Sequence, residues 1–455
     1  MPIEREQQMT AYSFSDFSGG MNTAQPPNQI ADNEAELIMN YEYDYNRLRT
    51  RGGTSASLVS VDDSIKNFYY DAATEAYLLF GAGTDKVKGN IYLAYIGEPA
   101  TLVGQLTGNE RPVCCKFDGC IYIASGDKLQ YFNYEQLFTV ESSKLCDNVF
   151  ERLGRLVTTH RGDDNLYYSA TGDAKSKDAW TDNSNDDSSS KWLEVGYKDD
   201  GDIITCKPMA NDLLVFKTNG RIYSVSGEYP AWNVSQVGEK SYAEDIQKSI
   251  EIVGDSVAFI TRNGIRSVDT VQTYGNFTMN EIGYKFNKSL TANISNPMCW
   301  NAVSKRQLII RPSSSNKKLL FIYQYNMMAG YELEFPFDID DMAETSNGII
   351  ILSGNALYRW SFEYSTDNGQ PIKTKLVTRR LTTAVAFYTR KYDIQIEGDV
   401  NGVVNLTAGK QSWKHLLKKP RRLKYLYDTL NSLQLTLSSE SQHTITTIVL
   451  YTVVK

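Results

Sequence analysis

The sequence predicts an all-β protein: a six- or seven-bladed β-propeller over residues 54–364, a basic β-sandwich over 371–455, and an N-terminal arm and clasp over 1–53. The first sign is a hairpin phrase, MANDLLVFKTNGRIYSVSG, over residues 209–227. Asn211-Asp212 is turn chemistry, Leu213 to Phe216 is an apolar run of strand length, and Asn219-Gly220 is a tight-turn dipeptide before the return strand Ile222, Tyr223 and Val225. The second sign is recurrence. Turn markers at Asp71, Asp118, Asp163, Asp212, Asp255, Lys305 and Asn347 follow one another at steps of 47, 45, 49, 43, 50 and 42 residues. A period of about 40–50 residues in an all-strand chain is the signature of four-stranded blades. The third is composition: 12 % aromatics, including 30 Tyr, suit pleated and half-buried surfaces.

Other global features narrow the class. No apolar run reaches the length of a membrane span, and MPIEREQQMT lacks the apolar core of a secretory signal, so synthesis in a cytoplasm is expected. The six Cys form no CxxC pair and the chain has only three His, so no metal or cofactor is expected, and the thiols read as reduced and mostly buried. No GxSxG elbow, phosphate-binding GxxxxGK[ST] or HExxH is present, and His160 at its turn reads as structural, so no catalytic residue is assigned. The acidic stretch Thr181 to Lys191 lacks EF-hand spacing and reads as a polar blade loop, and Asp338, Asp340 and Asp341 read as a solvated turn.

Taken in order, residues 1–16 are a polar arm. Gly19-Gly20 and Pro26-Pro27 exclude regular structure, after which Asp32 or Asn33 predicts the cap of a short helix carrying Glu34, Glu36 and the apolar Ala35, Leu37, Ile38 and Met39. Tyr41 to Arg51 alternates as a strand, with Leu48 opposite Arg47, Arg49 and Arg51. The whole stretch is expected to dock on the propeller and join its last blade.

The same stretch carries a family resemblance. Phe17-Ser18-Gly19-Gly20-Met21-Asn22-Thr23, then Pro26, Ile30, Asp32-Asn33-Glu34-Ala35, Asn40 and finally Leu48-Arg49-Thr50-Arg51-Gly52-Gly53 resembles the opening of propeller-bearing virion proteins of tailed bacteriophages. Those proteins form the hub or nozzle of short tails, and some are described as packaged-DNA stabilisation proteins. The resemblance covers about 40 residues and implies a structural virion protein, made in the host cytoplasm and located in the virion tail. It implies a ring, expected as a hexamer, that meets other tail or portal-adaptor proteins, extends the DNA conduit, and helps retain or release the genome. It brings no enzymatic residue. The positions that carry it are Phe17, Gly19, Gly20, Asn22, Pro26, Asn33, Asn40, Arg51 and Gly53. The alternative is a propeller adhesin or glycan-binding tail component that contacts the host surface.

Past residue 370 the blade phrase stops and alternating strands such as DIQIEG, VVNLT and LQLTLSS read as a sandwich. The charge changes as well. Residues 371–455 hold 14 Lys/Arg against 5 Asp/Glu, a net of +9, which leaves −16 on the rest of a chain whose total is −7. Much of that charge lies in KQSWKHLLKKPRRLK, where Lys410, Lys414, Lys418, Lys419, Arg421, Arg422 and Lys424 form the candidate contact. The expected occupant is the acidic surface of a neighbouring subunit or, without sequence readout, genomic DNA phosphates. A solvated loop is the plain alternative.

Overall fold

The computed structural model describes residues 9–44, 47–84, 87–182, 186, 188–209, 212–227, 231–244, 246–271, 276–382, 390–398, 403–408, 411–416, 422–428 and 432–454. The described residues form seven blades. Six consist of four antiparallel strands from one segment of the chain, consecutive except in blade two, where the short strand Asp127–Lys128 intervenes and pairs with Leu145–Cys146. Blade one starts at Ile65–Asp71, blade two at Val113–Phe117, blade three at Asn148–Arg152, blade four at Ile203–Met209, blade five at Ile250–Val253 and blade six at Met298–Ala302. Blade seven takes three strands from its own segment, Asp341–Thr345, Gly348–Ser353 and Ala356–Ser361. Its outer positions are filled by Gly53–Thr54 and Val59–Ser60 from the N-terminal side of the ring. The clasp therefore joins the last blade, as its sequence predicts.

The first strand of each blade lies innermost. Blades one and two, two and three, four and five, five and six, six and seven, and seven and one touch through these strands. Between blades three and four, Asn148 Nδ2 donates to Thr205 Oγ1 at 3.2 Å. The ring is thus closed. Apolar side chains fill the spaces between blades; Val157 and Leu166 of blade three, for example, pack with Leu213 and Val215 of blade four. No ligand is needed to hold such a stack together, since each blade buries one face on each neighbour.

The hairpin at residues 212–226 sits inside blade four as read. Leu213 pairs with Val225 and Phe216 with Ile222. Gly220 has φ +86°, and the Gly220 N–H donates to Lys217 O at 2.9 Å. Six of the seven turn markers fall at the first hairpin of their blade. Asp163 does not: it follows the second strand of blade three, Arg155–Thr159, whose first hairpin turns at Leu153-Gly154. Two turns lie nine residues apart there, and only the later one carries the Gly-Asp phrase.

The second body is a sandwich drawn from both parts of the sequence. One sheet runs in the order Met9–Ser15, Thr447–Val454, Arg390–Glu397, Arg422–Asp428. The other runs Glu34–Met39, Thr374–Thr378, Leu435–Ser439, Val403–Ala408, Gln411–Leu416. The arm is therefore a strand, with Met9 opposite Val453. The predicted helix at 34–39 is also a strand. Ala35 pairs with Thr378 and Met39 with Lys375, and no residue of the strand is exposed. Local propensity permits a helix there; a partner strand more than 300 residues away decides otherwise. At Met39 this strand also pairs with Glu332, on the outer strand of blade six, so the sheet of blade six continues into the sandwich. One apolar core crosses the junction: Phe14, Phe17, Ile38 and Leu48 pack with Leu333 and Trp360 of the propeller and with Leu376, Leu437 and Ile448 of the sandwich.

Candidate functional site: the propeller–sandwich joint and the axial cavity

The residues that carry the family resemblance converge on this joint. Phe17 is buried in the shared core. The Gly20 N–H donates to Phe17 O and the Gly19 N–H to Asn33 O, both at 3.0 Å, which turns the chain sharply into the clasp. A Cβ at Gly20 would lie 2.9 Å from Ala329 Cβ, and φ there is +71°, so glycine lets the clasp approach blade six. Asn22 donates through Nδ2 to Glu34 Oε2 at 2.7 Å, and Glu34 pairs with Lys285 at 2.9 Å. Those bonds outweigh the cost of burying the Glu34 carboxylate and hold it below its usual range. Pro26 is exposed; its carbonyl accepts the Gln29 N–H at 2.8 Å in a turn.

Asn40 and Arg51 form the centre. Asn40 adopts φ +60°; Nδ2 donates to Lys373 O at 2.6 Å, and Oδ1 accepts from the Glu334 N–H at 2.8 Å and from Arg51 Nε at 3.0 Å. Arg51 is fully buried. Nη1 donates to Asp367 Oδ1 at 2.9 Å and Nη2 to Asp367 Oδ2 at 2.5 Å, while Nη2 also reaches Glu334 O at 2.8 Å. The guanidinium carbon stands 4.0 Å from the centre of the Phe335 ring. Only arginine supplies this planar fork and a stacking face together. The sequence places Arg51 on the polar side of a strand with Arg47 and Arg49; the strand instead ends at Thr50 and Arg51 turns inward. Gly53 follows because a Cβ there would sit 2.1 Å from Thr366 O.

His443 closes the far side. Nδ1 donates to Ser441 O at 2.7 Å, which leaves Nε2 to accept the Tyr41 hydroxyl at 2.7 Å. Burial lowers the imidazole pKa, and the Ser441 bond only partly opposes that. No sequence signal singled out His443, because its partners are strands from the opposite end of the chain.

The basic run is placed only in part. Lys414 lies on the strand Gln411–Leu416, and Arg422 and Lys424 on Arg422–Asp428. These two strands are the outermost members of the two sandwich sheets. Lys410, Lys418, Lys419 and Arg421 lie outside the described residues.

The ring axis holds a cavity of about 700 Å³, lined from all seven blades and their connections. Some of its charges are paired. Arg111 meets Asp341 at 2.8 Å, and Glu251 is held by Lys248 at 3.1 Å and Lys207 at 3.7 Å. Burial works against the Glu251 charge, but the two lysines prevail and lower its pKa to about 2. Asp341 corrects a sequence expectation. It is not a solvated turn acid but a buried one, accepting also from Trp300 Nε1 at 2.8 Å and the Phe68 N–H at 3.3 Å. Two acceptors in the wall, Asn67 Oδ1 and Asp147 Oδ1, have no partner, but both atoms are themselves buried and inaccessible. Among the described residues no three His, Cys, Asp or Glu side chains cluster as metal ligands, and no helix is long and apolar enough to cross a membrane.

The fold and joint define a seven-bladed β-propeller continued into a composite β-sandwich. Solved structures similar to this chain are propellers too. The extracellular domain of BT4673 from B. thetaiotaomicron has a TM-score of 0.49 at 12 % identity, over 93 % of this chain and 65 % of that one, so the chain spans just under two thirds of its length. BamB from Moraxella catarrhalis has a TM-score of 0.42 at 10 % identity, over 71 % of this chain and 96 % of that one. YCF48, solved bound to a D1 peptide, has a TM-score of 0.46 at 9 % identity, over 71 % and 99 %. Likeness at this level concerns the propeller architecture alone. No protein-family profile matches the sequence, and no curated protein is significantly similar to it.

Proposed function

We propose that the protein is a structural component of a tailed-phage virion, one subunit of a ring in the tail hub or nozzle that extends the DNA conduit and helps retain or release the genome. The observation that carries this reading is the joint. Residues that resemble the opening of such proteins, from Phe17 to Gly53, are the ones that fasten propeller to sandwich through a shared core and a buried arginine. A wall that must resist a packed genome needs two bodies that move as one, and this joint supplies that. On this reading the axial cavity is not the conduit. At about 700 Å³ it falls within the range of small-molecule pockets, so a conduit for a duplex has to be built between chains rather than through one propeller. Sandwich and propeller of opposite net charge favour a head-to-tail contact, which closes into a ring when its rotation permits. The protein acts mechanically and needs no cofactor.

Electron microscopy of the purified protein, alone and mixed with tail or portal-adaptor proteins, tests the proposal. Rings with an axial channel are expected. A protein that stays monomeric in both settings and instead retains oligosaccharides on an affinity column would overturn it in favour of a glycan-binding propeller.

A further inference from the structure

Glu332 stands at the joint, and none of the bonds described above uses its side chain. Glu332 is 8 % exposed on the strand Ala329–Glu334, the outer strand of blade six. Its main chain holds the clasp, since Glu332 O accepts the Asn40 N–H at 2.9 Å and Glu332 pairs with Met39. This pair is the one place where the clasp strand Glu34–Met39 meets blade six in register. The residue as a whole is nearly buried at that seam, so its carboxyl is largely withdrawn from water.

Its surroundings are poor in compensating charge. On the inner side, Phe321 stands opposite it in the sheet, and on the outer side Met39 does. Beyond Met39 comes Lys375, exposed and one strand further away. Glu334, two residues along the same strand, adds a like charge. The short strand Gly20–Met21 brings no charge, and the nearby Glu34 and Lys285 pair with each other. From the strand Tyr41–Asp44, Glu42 acts on the Tyr331 side and is held by Lys305 at 3.2 Å. Burial first and Glu334 second therefore raise the Glu332 carboxyl to about 7, with Lys375 opposing them weakly.

We propose that Glu332 makes the propeller–sandwich joint a proton-sensitive clamp, tightest while its carboxyl is protonated and looser once it ionises at the seam with Met39. The sign follows from linkage. A carboxyl whose pKa is raised in the closed joint favours closure fully below the ordinary carboxylate value, and that contribution is lost as pH rises toward about 7. Above that, opening levels off because both states are ionised. His443 acts in the opposite sense from the far side of Asn40, so the comparison that isolates Glu332 is wild type against a variant at this position.

Hydrogen exchange at the Asn40 and Glu334 amides, corrected for intrinsic rates, reads the opening directly in the full chain. The ratio of opening in wild type to that in Glu332→Gln is expected to rise about tenfold per pH unit between roughly pH 5 and 7 and then to flatten. A ratio that stays constant with pH would sink the proposal. Glu334→Gln, an exposed and mild change, provides a second measurement should Glu332→Gln fold poorly. Removal of the like charge is expected to bring the plateau to lower pH, and an unmoved plateau would overturn the clamp.

Discussion

Arg51 and Asp367 lie 316 residues apart and meet through two parallel N–H to carboxylate bonds of 2.9 and 2.5 Å, both side chains buried. The pair links the end of the clasp to the short hairpin that leaves blade seven for the sandwich. A buried pair of this kind is worth little against a well-packed apolar replacement, but loss of one partner strands the other charge. Arg51→Ala is expected to destabilise the chain by about 3–5 kcal/mol in chemical denaturation. Arg51→Lys recovers only part of this, because an ammonium cannot bridge Asp367, Asn40 and Glu334 together.

Gly220 is expected to be intolerant of branched residues. Its φ of +86° is strained for any side chain, and a Cβ would stand 2.8 Å from Lys240 O. Gly220→Val should cost about 1–3 kcal/mol, read as a lowered denaturation midpoint with an unchanged slope. A neutral effect would mean that blade four relaxes around the turn.

The His443 network predicts sensitivity to acid. The folded imidazole pKa is depressed, so its contribution is fully present above about 6.5, the ordinary value, and is lost as pH falls below it. The loss is at most about 1.4 kcal/mol per pH unit for this one group. Denaturation of wild type and His443→Gln at pH 7.5 and 5.5 measures it. The difference between the two proteins should shrink on acidification, and a constant difference would rule out this role.

Chelators are expected to leave the melting temperature unchanged. Of the acids that the sequence could offer to a cation, Asp340 is held by Lys317 at 2.6 Å and Asp341 by Arg111 and Trp300. A fall of many degrees in EDTA would reveal an ion holding the fold.

Charge reversal at Lys418, Lys419, Arg421 and Arg422 to Glu should weaken assembly while the isolated chain stays folded. Contacts between exposed charges are screened over about 10 Å at 0.1 M salt, so wild-type assembly should also weaken as salt rises. Normal assembly with failed DNA retention would instead assign the run to phosphate. No change in either property would leave it a solvated surface.

What could be read from the sequence divides by distance along the chain. The blades are local: Asn219-Gly220, Asp118-Gly119 and Asn347-Gly348 mark turns between strands only a few residues apart, and the period follows from them. The joint is not local. Glu34–Met39 carries capping and acidic residues suited to a helix, and only its pairing with Thr374–Thr378 makes it a strand. Arg51, Asp341 and His443 read as surface or unremarked residues because the groups that bury them lie in other blades or in the sandwich. Several residues of the string from Phe17 to Gly53, Gly20, Asn22, Asn40, Arg51 and Gly53 among them, make close approaches at the joint.

The exchange of strands between the two ends of the sequence also sets the order of events during synthesis. Met9 waits for Val453, and Thr54 for Trp360, before either has a partner. At about 5–20 residues per second, the arm strand stays unpaired for roughly 20–90 s after it leaves the ribosome. Blades one to six can close hairpin by hairpin in that time and the ring can lock once Trp360 meets Thr54, but the sandwich cannot form. The strand Thr447–Val454 is therefore the commitment step for the sandwich. A subunit that lacked this strand would keep a closed ring but leave Met9–Ser15 without its partner and Arg390–Glu397 with a bare sheet edge, unfit for assembly and exposed to proteolysis.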